Sequence, residues 1–264
     1  MNELKGKVAI VVGSSRGLGR GITEAFLDAG AHVVAVARNP APLAELAGRR
    51  PELQLVAADA SDPMVAGTLL SEHSPDVVAL VAGAVPLLRP IHHHTWETFS
   101  ANWQTDTRMA FNWIREALLL PLRKGSRIIV MSSGAAVMGS PLSGGYAGAK
   151  AAQRFMADYA AQESQRNGLG IGISSVLPKL TPATELGLPA VRAYALRSGV
   201  SEEEYRQRMG KPVTPQIAGA AFLQLATGAQ GQAGAYMLSA EGLQALAAPP
   251  PGAAPAIQKE ATNP

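Results

Sequence analysis

Residues 8–22 read VAIVVGSSRGLGRGI, and this stretch limits the folds open to the chain more than any other. The unbroken apolar run from Val8 to Val12 has the length and composition of a fully buried strand. It meets three glycines, Gly13, Gly17 and Gly19, in the spacing G-x-x-x-G-x-G. Ile22, Ala25, Phe26 and Ala29 then recur at the spacing of one helix face. Strand, glycine turn and helix start make the first half of a βαβ unit. Glycine tightens such a turn and lets a ligand come closer to the backbone than a Cβ would allow. The helix start offers unpaired N–H groups and a partial positive charge, which suit a phosphate. A tight turn with no ligand shows the same pattern, so the rest of the chain decides.

The alternation continues. His32–Ala37, Leu53–Ala57 and residues 76–82, 126–131, 170–177 and 235–238 read as further strands between helical patterns. This order predicts an α/β fold: a doubly wound parallel sheet covered on both faces, in one domain over residues 1–246. Right-handed crossovers then put ligands at the carboxyl ends of the strands. Residues 96–122 predict one long helix with Thr95 as N-cap, packed through Phe99, Met109, Phe111, Trp113, Ile114 and Leu118. Tyr146–Arg166 and residues 214–226 predict two more helices, and residues 134–145 a loop of small residues. Residues 179–212 are long and irregular with one short helix, a stretch of the size of a substrate lid. Residues 247–264, rich in alanine with five prolines and no apolar periodicity, predict a disordered tail.

Composition removes several functions. Against 20 acidic residues stand 23 basic ones, and no basic block stands out, so a nucleic-acid partner is not expected. With no cysteine, disulfides, thiolate chemistry and cysteine zinc sites are excluded. The longest apolar run, residues 77–88, contains Gly83 and Pro86 and is too short to cross a bilayer. The chain enters its first strand without a signal-peptide layout, so a cytoplasmic protein is expected. Consecutive His92, His93 and His94 point in different directions and do not converge on one ion, so no metal is expected.

Arg38 follows the second strand directly, and Ala37 stands where a ribose-binding carboxylate would be sought. An arginine suits a 2′-phosphate, and Arg16 in the glycine turn adds a second cation, so NADP(H) is expected over NAD(H). Asp59 ends the third strand and suits either an adenine amino group or a cap on the next helix. Ser132 and Ser133 end the fifth strand, and thirteen residues later comes Y-A-G-A-K. Its Tyr146 and Lys150, at i and i+4, share a helix face. An ammonium beside a phenol favours the phenolate, which makes a usable general acid and base. Ser133 can hold a substrate oxygen beside it.

In this order and spacing, G-S-S-R-G-L-G, Asp59, Ser133 and Tyr146-x-x-x-Lys150 resemble the short-chain dehydrogenase/reductase family over residues 5–241. The resemblance implies a Rossmann domain with a seven-stranded parallel sheet, assembled as a homotetramer or homodimer. It implies that Tyr146 exchanges the proton, that Ser133 orients the carbonyl or hydroxyl, and that Lys150 binds the nicotinamide ribose and tunes Tyr146. Gly13, Ser15, Arg16, Gly17, Leu18 and Gly19 form the implied cofactor turn. Arg38, Asp59, Ala60, Ala82 and Gly83 follow at strand ends, and Tyr146, Lys150, Pro178 and Leu180 complete the set.

The chain departs from the family at Val12, usually Thr, at Leu80-Val81-Ala82-Gly83, usually N-N-A-G, and at Pro178-Lys179, usually Pro-Gly. Asp106 falls where the family carries a proton-relay Asn, and nearby Asn102 sits several residues too far from Ser133. The expected activity is NADPH-dependent reduction of a ketone or aldehyde, reversible as alcohol oxidation, on a small-molecule substrate. Epimerases, dehydratases and cyclases use the same fold and cofactor, and a non-catalytic NADP sensor would need the turn alone. Intact Ser133, Tyr146 and Lys150 speak against the sensor. In the lid, Leu186, Leu188, Val191, Tyr194 and Leu196 point to an apolar or aromatic ligand.

Overall fold

A computed structural model describes residues 2–228 and 234–247, so the tail expected over 247–264 lies, after Ala247, outside the described residues. Along the chain run β1 (Val8–Val12), α1 (Gly17–Asp28), β2 (His32–Ala37), α2 (Ala44–Arg49) and β3 (Leu53–Ala57). Next come α3 (Pro63–His73), β4 (Val77–Leu80), α4 (Trp96–Asn102), α5 (Arg108–Leu119) and β5 (Arg127–Met131). Then follow α6 (Ala135–Met138), α7 (Tyr146–Arg166), β6 (Gly172–Pro178), α8 (Gly187–Arg197) and α9 (Glu202–Met209). The described chain closes with α10 (Pro215–Thr227), β7 (Ala235–Ser239) and β8 (Gly242–Ala245).

The sheet order is β3-β2-β1-β4-β5-β6-β7-β8, with β1 to β7 parallel, as the alternating pattern predicts. The eighth strand is new: β8 pairs antiparallel with β7, Leu238 opposite Leu243. In β1, β2, β4 and β5 nearly every residue is buried, so both faces are covered, which explains their continuous apolar runs. In β1, Ala9 and Val11 enter one core with Ile22, Phe26 and Phe222 of α1 and α10. Ile10 and Val12 enter the other, with Leu69, Leu70, Met109, Trp113 and Ala157 of α3, α5 and α7. Strand order reverses between β1 and β4, which opens a crevice at their carboxyl ends.

Several local expectations are corrected. The long helix over 96–122 is two helices, α4 and α5, joined by a π-helical turn at Trp103–Thr107. Thr95 does cap α4, in a reciprocal box with Thr98. Phe111 is 51% exposed rather than packed, because it shares the outer stripe of α5 with Arg115 and Leu119. The loop over 134–145 contains α6, and the lid segment holds two helices, α8 and α9. Short α2 has no fully buried residue and turns only Leu46 and Ala47 to the core, too few for a periodic signal.

Candidate active site

The glycine turn forms one wall of a cleft of about 660 Å³ at the carboxyl ends of the strands. Gly13 has φ +89°, and a Cβ on Gly19 would lie 2.0 Å from the Gly13 carbonyl oxygen, so the turn closes only without side chains. Arg16, the N-cap of α1, makes no side-chain cap, and no acid occupies the first turn. The N–H groups of that turn are therefore left to a ligand. Every residue of the expected cofactor set lines this one cleft, from Gly13 and Ser15 through Arg38, Asp59, Ala60, Ala82 and Gly83 to Pro178 and Leu180.

The two arginines differ. Arg38 is exposed at the cleft and has no ion pair among the described residues, whereas Arg16 pairs with Glu185 of the lid segment. Asp59 accepts from the N–H and the hydroxyl of Ser61, at 2.9 and 2.8 Å. Those bonds, with the fields of Arg38 and Arg108, hold its carboxyl below the usual carboxylate range. The cap on α3 is Asp62, which accepts from Met64 N, so capping is not the role of Asp59.

Ser132 and Ser133 follow β5 on opposite duties. Ser132 Oγ is buried and donates to the Lys150 carbonyl at 2.7 Å. Ser133 Oγ lines the cleft, accepts from Ala135 N at 3.2 Å, and donates to no described residue. Tyr146 opens α7 within the cleft, and Lys150 Nζ lies one turn on, 5.6 Å from the phenol ring centre. Lys150 is only 4% exposed. It donates to Met131 O at 3.2 Å and to Gln153 Oε1 at 3.0 Å, and Asp106 Oδ2 stands 3.1 Å from the same nitrogen.

Asp106 sits in the π turn with no solvent exposure. Its Oδ1 accepts from Ala84 N and Thr105 Oγ1, both at 2.8 Å. A Cβ on Gly83 would come 2.8 Å from Asp106 Oδ2, so glycine is required for the carboxylate to fit. Asn102 donates instead to Ala84 O at 2.8 Å, bracing the same loop without touching Lys150. π turns of this kind recur at functional sites because they re-aim side chains and free backbone groups.

Over the cleft, Leu186 and Tyr194 line the opening together with Tyr205 of α9. The two tyrosine rings stack with centres 6.5 Å apart. Burial pushes the Tyr205 phenol above its usual range, and Tyr194 adds to the effect. Tyr194 also bonds Ser140 Oγ and accepts from Leu142 N at 3.4 Å, which ties α8 to the opposite rim. Of the other apolar lid residues, Val191 is core, Leu188 is half-buried outside the cleft lining, and Leu196 is 83% exposed. His92 and His93 meet edge to face, and His94 bonds Thr98 and the Arg89 carbonyl. Among the described residues no group of three metal-binding side chains occurs, and no helix is long and apolar enough to cross a membrane.

Sequence reasoning missed Gln153, Thr105, Glu185 and Tyr205. Gln153 carried a readable signal, since it lies on the stripe of Tyr146, Lys150 and Ala157 at helical spacing.

Comparison with known proteins agrees with this geometry. The family model described as short chain dehydrogenase matches residues 7–192. The chain is 32% identical to NADPH-dependent aldehyde reductase 2, chloroplastic, of Arabidopsis thaliana, over 70% of this chain and 76% of the relative. It is 32% identical to hydroxynaphthalene reductase-like protein Arp2 of Metarhizium majus, over 67% of this chain and 68% of the relative. A match to L-xylulose reductase of Mesocricetus auratus is 35% identical but spans 40% of this chain and 43% of that relative.

Proposed function

Because this chain belongs to the short-chain dehydrogenase/reductase family, we propose that it is an NADPH-dependent reductase of a ketone or aldehyde, reversible as an alcohol dehydrogenase. The uncapped first turn of α1 and the glycine wall fit a dinucleotide pyrophosphate. Arg38, unpaired and with Ala37 rather than an acid before it, suits a 2′-phosphate, and Arg16 joins it on leaving Glu185. Asp59 and Ala60 border the adenine end.

When bound, the reduced nicotinamide supplies the hydride for the carbonyl carbon. Tyr146 gives its phenolic proton to the carbonyl oxygen, so that hydride and proton together make the alcohol. Ser133 donates its free O–H to the same oxygen and holds it beside the phenol. The Lys150 ammonium stabilises the phenolate left behind, and Asp106 balances the buried lysine charge. The substrate body rests against Leu186, Tyr194 and Tyr205, which favours an apolar or aromatic carbonyl compound. That is in keeping with one relative named as an aldehyde reductase and another named as hydroxynaphthalene reductase-like. We read the enzyme as a cytoplasmic homo-oligomer; the exposed rings of Phe111, Phe155 and Tyr159 on α5 and α7 support the oligomer alone.

The observation that carries this reading is the single cleft lined at once by the glycine turn, Arg38, Ser133, Tyr146 and Lys150. Its test is the loss of NADPH absorbance with a panel of ketones and aldehydes, run beside NADH. Carbonyl-dependent NADPH oxidation is expected. No oxidation with any member of a broad panel, by protein that binds NADPH, would sink the redox assignment.

A further inference from the structure

The buried stripe of α7 comprises Ala149, Lys150, Gln153, Ala157, Ala160 and Ser164. Alanine suffices for packing at three of its six positions, yet at 153 the stripe carries an amide with 0% exposure. Both ends of that amide are used. Nε2 donates to the Asp106 carbonyl at 2.7 Å, and Oε1 accepts from Lys150 Nζ at 3.0 Å. A carbonyl only accepts and an ammonium only donates, so the partners fix which way the amide points. Asp106 belongs to the π turn, where the regular ladder of backbone bonds is interrupted.

We propose that Gln153 is a positioning residue for the reaction, a clamp that keeps the Lys150 ammonium in register with Tyr146 by tying it to the π turn. The proposal rests on the reading above, in which Lys150 serves Tyr146. Asp106 reaches the lysine nitrogen with its carboxylate directly and with its backbone oxygen through Gln153, so one residue holds it along two routes. Without the amide, Nζ keeps only Met131 O and the Asp106 carboxylate as partners. The four methylenes of the lysine then regain freedom to carry the charge off the phenol.

Gln153→Met keeps length and volume and removes both hydrogen bonds. A hydrogen bond to a charged group is worth roughly ten- to a hundredfold in an equilibrium constant. In the full chain, kcat counted per NADPH-binding site is expected to fall by about that factor while the carbonyl KM moves less than about threefold. A loss of folded protein would lower the number of NADPH sites and leave kcat per site unchanged. A per-site kcat within about threefold of wild type overturns the clamp. If wild-type protein binds NADPH but reduces no carbonyl, the reductase reading fails, and acetylation of Lys150 by an activated ester, followed by peptide mass, decides the clamp alone. Faster labelling of Lys150 in Gln153→Met supports it, and equal labelling overturns it. Should that variant not fold, Gln153→Glu takes its place, since it keeps an acceptor for Lys150 and loses the donor to Asp106. An unimpaired per-site kcat there overturns the proposal equally.

Discussion

Asp106→Asn removes a charge and almost no volume, so it isolates the buried ion pair. The carboxylate accepts on both sides, from Ala84 N and Thr105 Oγ1 on Oδ1, with Lys150 Nζ 3.1 Å from Oδ2. Asparagine has one acceptor oxygen, so whichever way its amide turns, an NH₂ faces either the ammonium or an N–H. At that separation and an effective dielectric constant of about 20, the lost attraction is about 5 kcal/mol. Breaking one partner of a buried pair costs about 3–5 kcal/mol. Because asparagine keeps the Ala84 and Thr105 bonds in one orientation, a destabilisation of about 3 kcal/mol is expected. Folded domains have about 5–15 kcal/mol in reserve, so the fold survives and the urea midpoint drops. A stability change under about 1 kcal/mol would refute the energetic reasoning.

Tyr146→Phe should bind NADPH almost as wild type does while turnover falls by about 10²–10⁴-fold, and a variant with over a tenth of wild-type activity would remove Tyr146 from the mechanism. NADPH should bind at least about tenfold more tightly than NADH, with Arg38→Ala costing more of that preference than Arg16→Ala because Arg16 is shared with Glu185. Ala37→Asp with Arg38→Ala should reverse the preference in a binding titration; equal affinities in the wild type would refute the arginine assignment. Asp59 has a depressed carboxyl, so the stability it lends through Ser61 is whole above about pH 4 and fades as pH falls further. Urea midpoints of Asp59→Ala should therefore converge on wild type in acid, and a constant gap would contradict this. Burial raises the Asp158 carboxyl despite Arg154 nearby, so its ionisation opposes folding once pH rises past the ordinary carboxylate range. Asp158→Asn should raise the melting temperature at neutral pH and not in acid.

The parallel strands were legible because a strand buried on both faces must be apolar at every position, as Val8–Val12 and His32–Ala37 nearly are. β8 was not, since Gly-Leu-Gln-Ala is short and half exposed and takes its strand form from β7. The π turn left no trace in composition: Phe99, Met109 and Trp113 suit a helix on either side of it, and one surplus residue does not spoil the pattern. In the site, Gly13, Tyr146 and Lys150 could be read because local spacing alone sets them on one turn or one face. Partners made by tertiary packing could not. Glu185 reaches Arg16 across 169 positions, and Gln153 meets the Asp106 carbonyl across 47. Only the stripe on α7 hinted that the second pair existed.

The wide turn at Trp103–Thr107 makes chain length itself a determinant of the chemistry. An α-helix rotates about 100° per residue, so excising one residue there would restore an even helix and swing part of the stretch by about that angle. If α5 stays anchored by Trp113, whose Nε1 donates to the Ala60 carbonyl at 3.0 Å, the rotation falls on α4 and its Asn102 brace. If α4 stays anchored, the Asp106 carboxylate turns away from Gly83 and Lys150. A deletion with no charged, polar or glycine residue lost would then cost the lysine its counter-ion, which point substitutions at exposed Trp103 would not do.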